Sequence, residues 1–322
     1  MITGMLRQAI AGCVALAAAL TQPAFASGAS PSPLELKSSA ALVLDEETGQ
    51  VLYGKNTESV LPIASITKLM TAMVVLDANL DLNEQIQVSV EDIDTLKGTQ
   101  SRLRVGTTLT RGEMLRLALM ASENRAASAL GRHYPGGLDA FVSAMNLKSR
   151  LLGLQGTRYA DPTGLSSNNV STAEDLGRLV RAAHRYELIR EFSTANAFAV
   201  NIGGRPAAFR NTNRLLASRD WDIGLSKTGF INEAGRCLVM YARLSGRAVV
   251  IVLLDSWGKY SRIGDAARIR KWLEVADGSE AVRQRAPAAR ASRKGSTHKV
   301  TARARKSSGT SAAVSVRRSR AG

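Results

Sequence analysis

The sequence predicts an α+β fold: an antiparallel sheet built from both ends of one globular body, with a helical region between them as the other wall of a cleft. Three observations carry this. Short runs rich in Val, Ile and Leu, spaced as hairpins, lie near the two ends of the body. Stretches with helical apolar periodicity and helix-start signals fill the space between them. The chain of 322 residues is 45% hydrophobic, which supports one large core or two small ones and excludes disorder throughout.

In chain order, the first 26 residues stand apart. Arg7 gives a positive start, Ala9 to Leu20 form a short apolar stretch, and Ala24-Phe25-Ala26 is a small-x-small cleavage site. Residues 1–26 therefore read as a signal peptide, and the expected location is the periplasm. Ile10-Ala11-Gly12-Cys13 superficially resembles a lipoprotein box, but cleavage there leaves almost no apolar segment before it. No later segment reaches the roughly 18 apolar residues of a spanning helix, so no transmembrane segment is expected in the mature protein.

The body follows, with the catalytic domain expected over residues 27–276. Ala40 to Asp45 and Val51 to Lys55 flank Glu46-Glu47-Thr48-Gly49 as a hairpin. Ser65 to Leu76 has a helical apolar pattern. Thr110-Arg111-Gly112-Glu113 is a capping box for a helix reaching Ala121, and Arg125 to Tyr134 reads as another helix. Ser171-Thr172-Ala173-Glu174 repeats the box signature before Asp175 to Tyr186. Arg236 to Leu244 and Arg247 to Asp255 form a second hairpin about Ser245-Gly246, and Arg262 to Val275 is the last helix.

The formal charge of +16 suggests a nucleic-acid binder until it is divided along the chain. Residues 283–322 hold twelve Lys or Arg and no acid, and the region from 27 to 282 carries only about +3. The basicity belongs to a tail, residues 277–322, expected to be disordered. Export excludes nucleic acid as a natural partner; adhesion of the tail to an anionic envelope surface is the functional reading, and a solvated end the bland one. Cys237 is alone once Cys13 leaves with the signal, and it reads as a buried hydrophobe. His133, His184 and His298 form no metal-binding pattern, so neither metal nor cofactor is expected.

Chemistry is carried by three short motifs. Ser65-Ile66-Thr67-Lys68 puts a serine and a lysine on one face at a helix start, where backbone N–H groups can meet an oxyanion. Alone, such a pair arises about once by chance in a chain this long and reads as a helix cap with a surface lysine. Ser122-Glu123-Asn124 falls between two helices and could be an ordinary turn. Lys227-Thr228-Gly229, followed by Phe230, precedes the second hairpin, and its glycine lets a substrate backbone approach closely. In this order, 57 and 162 residues from the first serine, the set outweighs its separate readings.

Here the sequence resembles the serine penicillin-binding proteins and related β-lactamases. Ala64 to Ala72, Ala121 to Ala127, Asp161-Pro162-Thr163-Gly164-Leu165-Ser166 and Ser226 to Gly229 look like the low-molecular-mass D-alanyl-D-alanine carboxypeptidase and endopeptidase family, over nearly all of residues 35 to 276. Their endopeptidase group, penicillin-binding protein 7, matches best. The resemblance implies a β-lactamase/DD-peptidase-like fold, stem peptides of peptidoglycan as substrate and β-lactams as inhibitors. It implies Ser65 as nucleophile, Lys68 as its base and Ser122 as proton relay. Asn124 would hold the substrate backbone, Lys227 and Thr228 would bind a carboxylate on the leaving residue, and Gly229 would let the substrate lie close to the strand. The N–H groups of Ser65 and Phe230 would form the oxyanion hole. Burial and the charge of Lys227 are expected to lower the pKa of Lys68.

Two departures lean toward an endopeptidase rather than a carboxypeptidase trimming pentapeptides. The basic tail begins where a second β domain and membrane anchor would lie. Thr212 in Asn211-Thr212-Asn213 replaces an arginine often found in the carboxypeptidases. A β-lactamase is less favoured, because no Glu-x-x-Leu-Asn-like segment lies between Asn124 and Lys227.

Overall fold

A computed structural model describes residues 34–291, with side chains through Ala276. The expected signal peptide lies outside the described residues, as does the expected tail beyond Ala291. The chain divides into two compact units after Val275, and of the second only the helical backbone to Ala291 is described.

The first unit begins with the expected hairpin, β1 (Ser38–Asp45) and β2 (Val51–Lys55). A two-residue strand, β3 (Leu61–Pro62), leads through a 3₁₀ turn at Ala64–Thr67 into α1 (Lys68–Asp77). Strands β4 (Gln85–Gln87) and β5 (Thr108–Thr110) pair ahead of α2 (Arg111–Met120), α3 (Asn124–Arg132) and α4 (Gly137–Leu151). Then come β6 (Val170–Ser171), which pairs with β3, α5 (Ala173–His184) and α6 (Glu187–Thr194). A second hairpin follows, β7 (Ala197–Ile202) and β8 (Arg205–Arg210). Three long strands, β9 (Asp222–Ile231), β10 (Gly235–Leu244) and β11 (Arg247–Ser256), precede α7 (Ser261–Ala291).

The main sheet is antiparallel, in the order β2-β1-β11-β10-β9. The two ends of the body pair directly, with Leu42 opposite Val252 and Leu44 opposite Val250. Alternation along the strands supplies both faces. Ala40, Leu42, Val239, Val250 and Val252 face the core shared with α1, α2 and α5. Ala41, Val43, Leu238, Ile251 and Leu253 face Ala266, Ile269 and Leu273 of α7. Because β11 is covered on both sides, it is a nearly unbroken apolar run rather than an alternating strand.

Three sequence expectations are corrected. The helix expected from Ser65 starts at Lys68, because Ala64 at φ +47° holds a 3₁₀ turn ahead of it. The second capping box is not formed: the cap is Thr172, accepting from the Asp175 N–H, while Glu174 accepts from the Thr57 hydroxyl. Ser171 is buried and bonds Thr157 instead. The last helix passes Val275 and runs to Ala291, although that stretch includes Gly278 and Pro287, so helix propensity does not account for its length. The Thr110 box does form, with Glu113 accepting from the Thr110 N–H at 2.8 Å.

Candidate active site

All three motifs meet where the helical region faces β9. Ser65 sits in the 3₁₀ turn and Lys68 opens α1, so their heads are 2.9 Å apart. Lys68 is fully buried, and its Nζ also donates to Asn124 Oδ1 at 2.8 Å and to the Thr163 carbonyl at 2.6 Å. Burial lowers the Lys68 pKa to about 7, while Asp161 and Glu123 oppose that shift.

The Thr163 carbonyl is aimed by a carboxylate cage. Asp161 Oδ1 accepts from the N–H groups of Thr163 and Gly164, and Oδ2 accepts from that of Ser166. Asn169 closes the loop by donating to the Asp161 carbonyl and to Thr67 Oγ1, which ties it to the turn carrying Ser65. Gly164, at φ +81°, passes so near Ala64 that a Cβ would collide with the Ala64 carbonyl.

Ser122 lies at the end of α2 in the left-handed region, φ +58°, and Glu123 caps α3 in extended backbone. That corner turns Ser122 toward β9, where its Oγ accepts from Lys227 Nζ at 2.9 Å. Asn124 Nδ2 donates to Thr99 Oγ1 at 3.0 Å. Glu123 accepts from the Ser101 hydroxyl, and burial raises its pKa.

From the sheet side, Lys227 and Thr228 are buried and Phe230 is exposed. The pKa of Lys227 is held well below its usual value by burial and then by Lys68 and Arg262. A Cβ on Gly229 would stand 2.8 Å from the Ile63 carbonyl and 3.2 Å from the Ser65 nitrogen. Only glycine lets β9 come this close to the serine turn. Thr228 Oγ1 bonds Thr212 Oγ1 at 2.6 Å, and the flanking asparagines hold that contact: Asn211 donates to the Ser193 and Ala195 carbonyls, Asn213 to Ser226 Oγ.

Ser65, Lys68, Ser122, Asn124, Lys227, Thr228 and Gly229 are thus brought into one cleft, with Phe230 beside them at its mouth. The charge of Lys227 was expected to help depress Lys68, but burial dominates there and the lysine–lysine field is felt at Lys227. Sequence reading quoted the Asp161 to Ser166 segment without giving it a task and passed over Arg262. That arginine donates from α7 to the carbonyls of Gly229 at 2.8 Å and Cys237 at 3.1 Å, and no local motif announces it. Cys237 is buried with its thiol pKa pushed up to about 11, and His184 stacks on Tyr241.

The signature of the D-alanyl-D-alanine carboxypeptidase family, peptidase S11, matches residues 27–257. The chain belongs to that family. It is 51% identical over 247 residues to the D-alanyl-D-alanine endopeptidase of Pseudomonas aeruginosa, covering 76% of this chain and 80% of that one. It is 46% identical over 252 residues to the D-alanyl-D-alanine endopeptidase of Escherichia coli, covering 78% and 81%. The crystal structure of the Streptomyces K15 DD-transpeptidase superposes with a TM-score of 0.69 at 28% identity, covering 74% of this chain and 97% of that one. The expected fold is the observed one, and this member of the S11 family is a serine D-Ala-D-Ala peptidase of peptidoglycan metabolism. Among the described residues, no helix is long and apolar enough to cross a membrane.

Proposed function

We propose that residues 27–276 form the catalytic domain of a periplasmic D-alanyl-D-alanine endopeptidase that cuts D-alanyl cross-links in peptidoglycan through an acyl-enzyme on Ser65. The observation that carries the mechanism is the surroundings of Lys68 Nζ. A neutral amine has two hydrogens and one lone pair. The Asn124 and Thr163 oxygens take the hydrogens, which leaves the lone pair for the Ser65 hydroxyl 2.9 Å away. With its pKa near 7, much of the lysine is neutral near neutral pH.

Ser65 Oγ attacks the carbonyl carbon of the D-alanyl residue as its proton passes to Lys68. The oxyanion forms against the N–H groups of Ser65 and Phe230. As the intermediate collapses, the C–N bond breaks and the proton travels by way of Ser122 to the departing amine. An ester on Ser65 remains, and water hydrolyses it to free the acid and restore the hydroxyl. Asn124 orients the donor peptide, while Lys227 and Thr228 bind a carboxylate on the leaving residue. A β-lactam acylates the same serine and leaves slowly.

The endopeptidase reading is supported by Thr212, whose hydroxyl meets Thr228 where an arginine would help grip a terminal carboxylate, and by the relatives of that name. The test is digestion of mixed pentapeptide monomers and cross-linked dimers by residues 27–322, with Ser65→Ala as control, read by mass spectrometry. Dimer loss with the pentapeptide intact is expected. Release of terminal D-alanine from the pentapeptide instead makes the enzyme a carboxypeptidase. The basic tail is proposed to adhere to an anionic envelope surface, and unchanged envelope retention after deletion of residues 283–322 rejects that part.

A further inference from the structure

Beyond the cleft lies a groove that the mechanism does not use. One wall is the segment from Thr99 to Thr107 and the other is the β7–β8 hairpin. Both start at site residues: Thr99 accepts from Asn124, and β8 leads through Arg210 to Thr212, which bonds Thr228. Arg102 staples the walls, donating to the Ala208 carbonyl with its guanidinium 3.8 Å above the Phe209 ring. Between them lies a cavity of about 570 Å³ lined by Arg102, Arg104 and Arg205 with Val105, Ile202 and Pro206 among others, and by no acidic residue. Arg104 and Arg205 are exposed, and among the described residues their side chains make no hydrogen bond or ion pair.

Three guanidinium groups around one concavity without a carboxylate create a field that favours an anion. Planar donors of this kind match carboxylates. The distance suits a peptide: the six residues from Ala207 to Thr212 span at most about 16 Å when fully extended, on the order of a stretched tetrapeptide. Monomer trimming releases only one amino acid, whereas cross-link cleavage releases a second stem with further carboxylates. We propose that this groove is a subsite for the carboxylates of the second stem peptide in a cross-linked dimer. The proposal rests on the endopeptidase reading for its substrate, but it is tested apart from turnover.

The experiment measures binding of purified cross-linked dimer muropeptide to the full mature chain carrying Ser65→Ala, alone or with Arg104→Glu and Arg205→Glu. Charge reversal is expected to weaken binding about tenfold, with a smaller loss on raising salt than in the parent. The Arg104→Lys, Arg205→Lys pair should bind within about threefold of the parent, since it keeps the charge. Dimer in which the carboxyl groups are amidated should bind equally to parent and reversed protein. Penicillin acylation of the reversed pair on the Ser65 background reports an intact cleft. Unchanged dimer affinity on charge reversal, with acylation normal, overturns the subsite. Failure of the wild-type enzyme to cleave dimer defeats the endopeptidase reading instead, and the binding comparison still decides the groove.

Discussion

The two walls of the cleft are built by different means. On the helical wall, Ser65 and Ser122 depend on residues in the left-handed region, Ala64 at φ +47° and Ser122 itself at +58°. Ala64 accepts from the Thr67 hydroxyl with Gly164 and Gly229 packed close against it, and Ser122 accepts from Lys227 on β9. On the sheet wall, Lys227, Thr228 and Gly229 lie in a regular strand whose register is set by β10, with Lys227 opposite Val239 and Gly229 opposite Cys237. Strained backbone persists only where its surroundings over-determine it. Here it collects where the proposed mechanism moves a proton, and regular backbone is kept where that mechanism lays the substrate chain. The helical wall should therefore govern the rate of acylation, and the sheet wall should govern how substrate is seated.

The largest test of that division is Lys68→Ala. Removing the base should reduce acylation by a fluorescent penicillin about 10⁴-fold while thermal unfolding remains cooperative. A loss of only a few fold makes another group the base. Next comes Gly229→Ala, which attacks the contact between the walls rather than either one. Its Cβ would press on the Ile63 carbonyl, so β9 has to retreat from Ser65. Acylation should fall about 100-fold with little change in secondary structure. If acylation is unchanged, close approach of the strand is not required. Smaller again is Asn169→Ala, which frees the Asp161 loop from the serine turn. About 1–3 kcal/mol of stability should be lost in denaturant unfolding, because buried partners at Thr67 and Asp161 are left unmet. Acylation should fall about tenfold with it. Loss of stability alone would mean that the cage supports the fold without aiming the Thr163 carbonyl.

The sheet wall was the more legible of the two in the sequence. Hairpins of Val-, Ile- and Leu-rich runs and the Lys227-Thr228-Gly229 motif depend on neighbours in the chain, and so does the Thr110 box. The helical wall was read as a pattern and only partly as a geometry. Nothing local to Ala64 foretells its positive φ, which accompanies the approach of Gly164 and Gly229 from about 100 and 165 residues away. The same reason hid the Thr163 carbonyl and Arg262: each acts through a partner remote in sequence. The β7–β8 hairpin is a different case. Gly203-Gly204, both at positive φ between Ile202 and Arg205, is a strong two-residue turn signal that reading could have used. Of the two causes expected to lower the Lys68 pKa, burial acts and the charge of Lys227 does not, because that field falls on Lys227 instead.

The smallest prediction isolates one carboxylate of the helical wall. In the proposed mechanism acylation uses neutral Lys68, so its rate should rise with pH through about 7. Glu123 raises the pKa of that lysine when ionised, which holds the rising limb at higher pH. In Glu123→Gln the charge is gone, Lys68 gives up its proton more readily, and the limb should move to lower pH. At the alkaline plateau, where the lysine is neutral in both proteins, the two rates should converge. Burial raises the pKa of Glu123 and so works against its charge, and the displacement should be modest. The substitution also separates the walls. The charged groups that shift Lys227 are Lys68 and Arg262 and not Glu123, so on the alkaline plateau, where Lys68 is neutral in both proteins, seating of substrate should be nearly insensitive to it. A profile of penicillin acylation against pH, with KM for dimer measured beside it, reads both quantities. A limb that stays in place, or a change in KM as large as the change in rate, would merge the two walls into a single electrostatic unit.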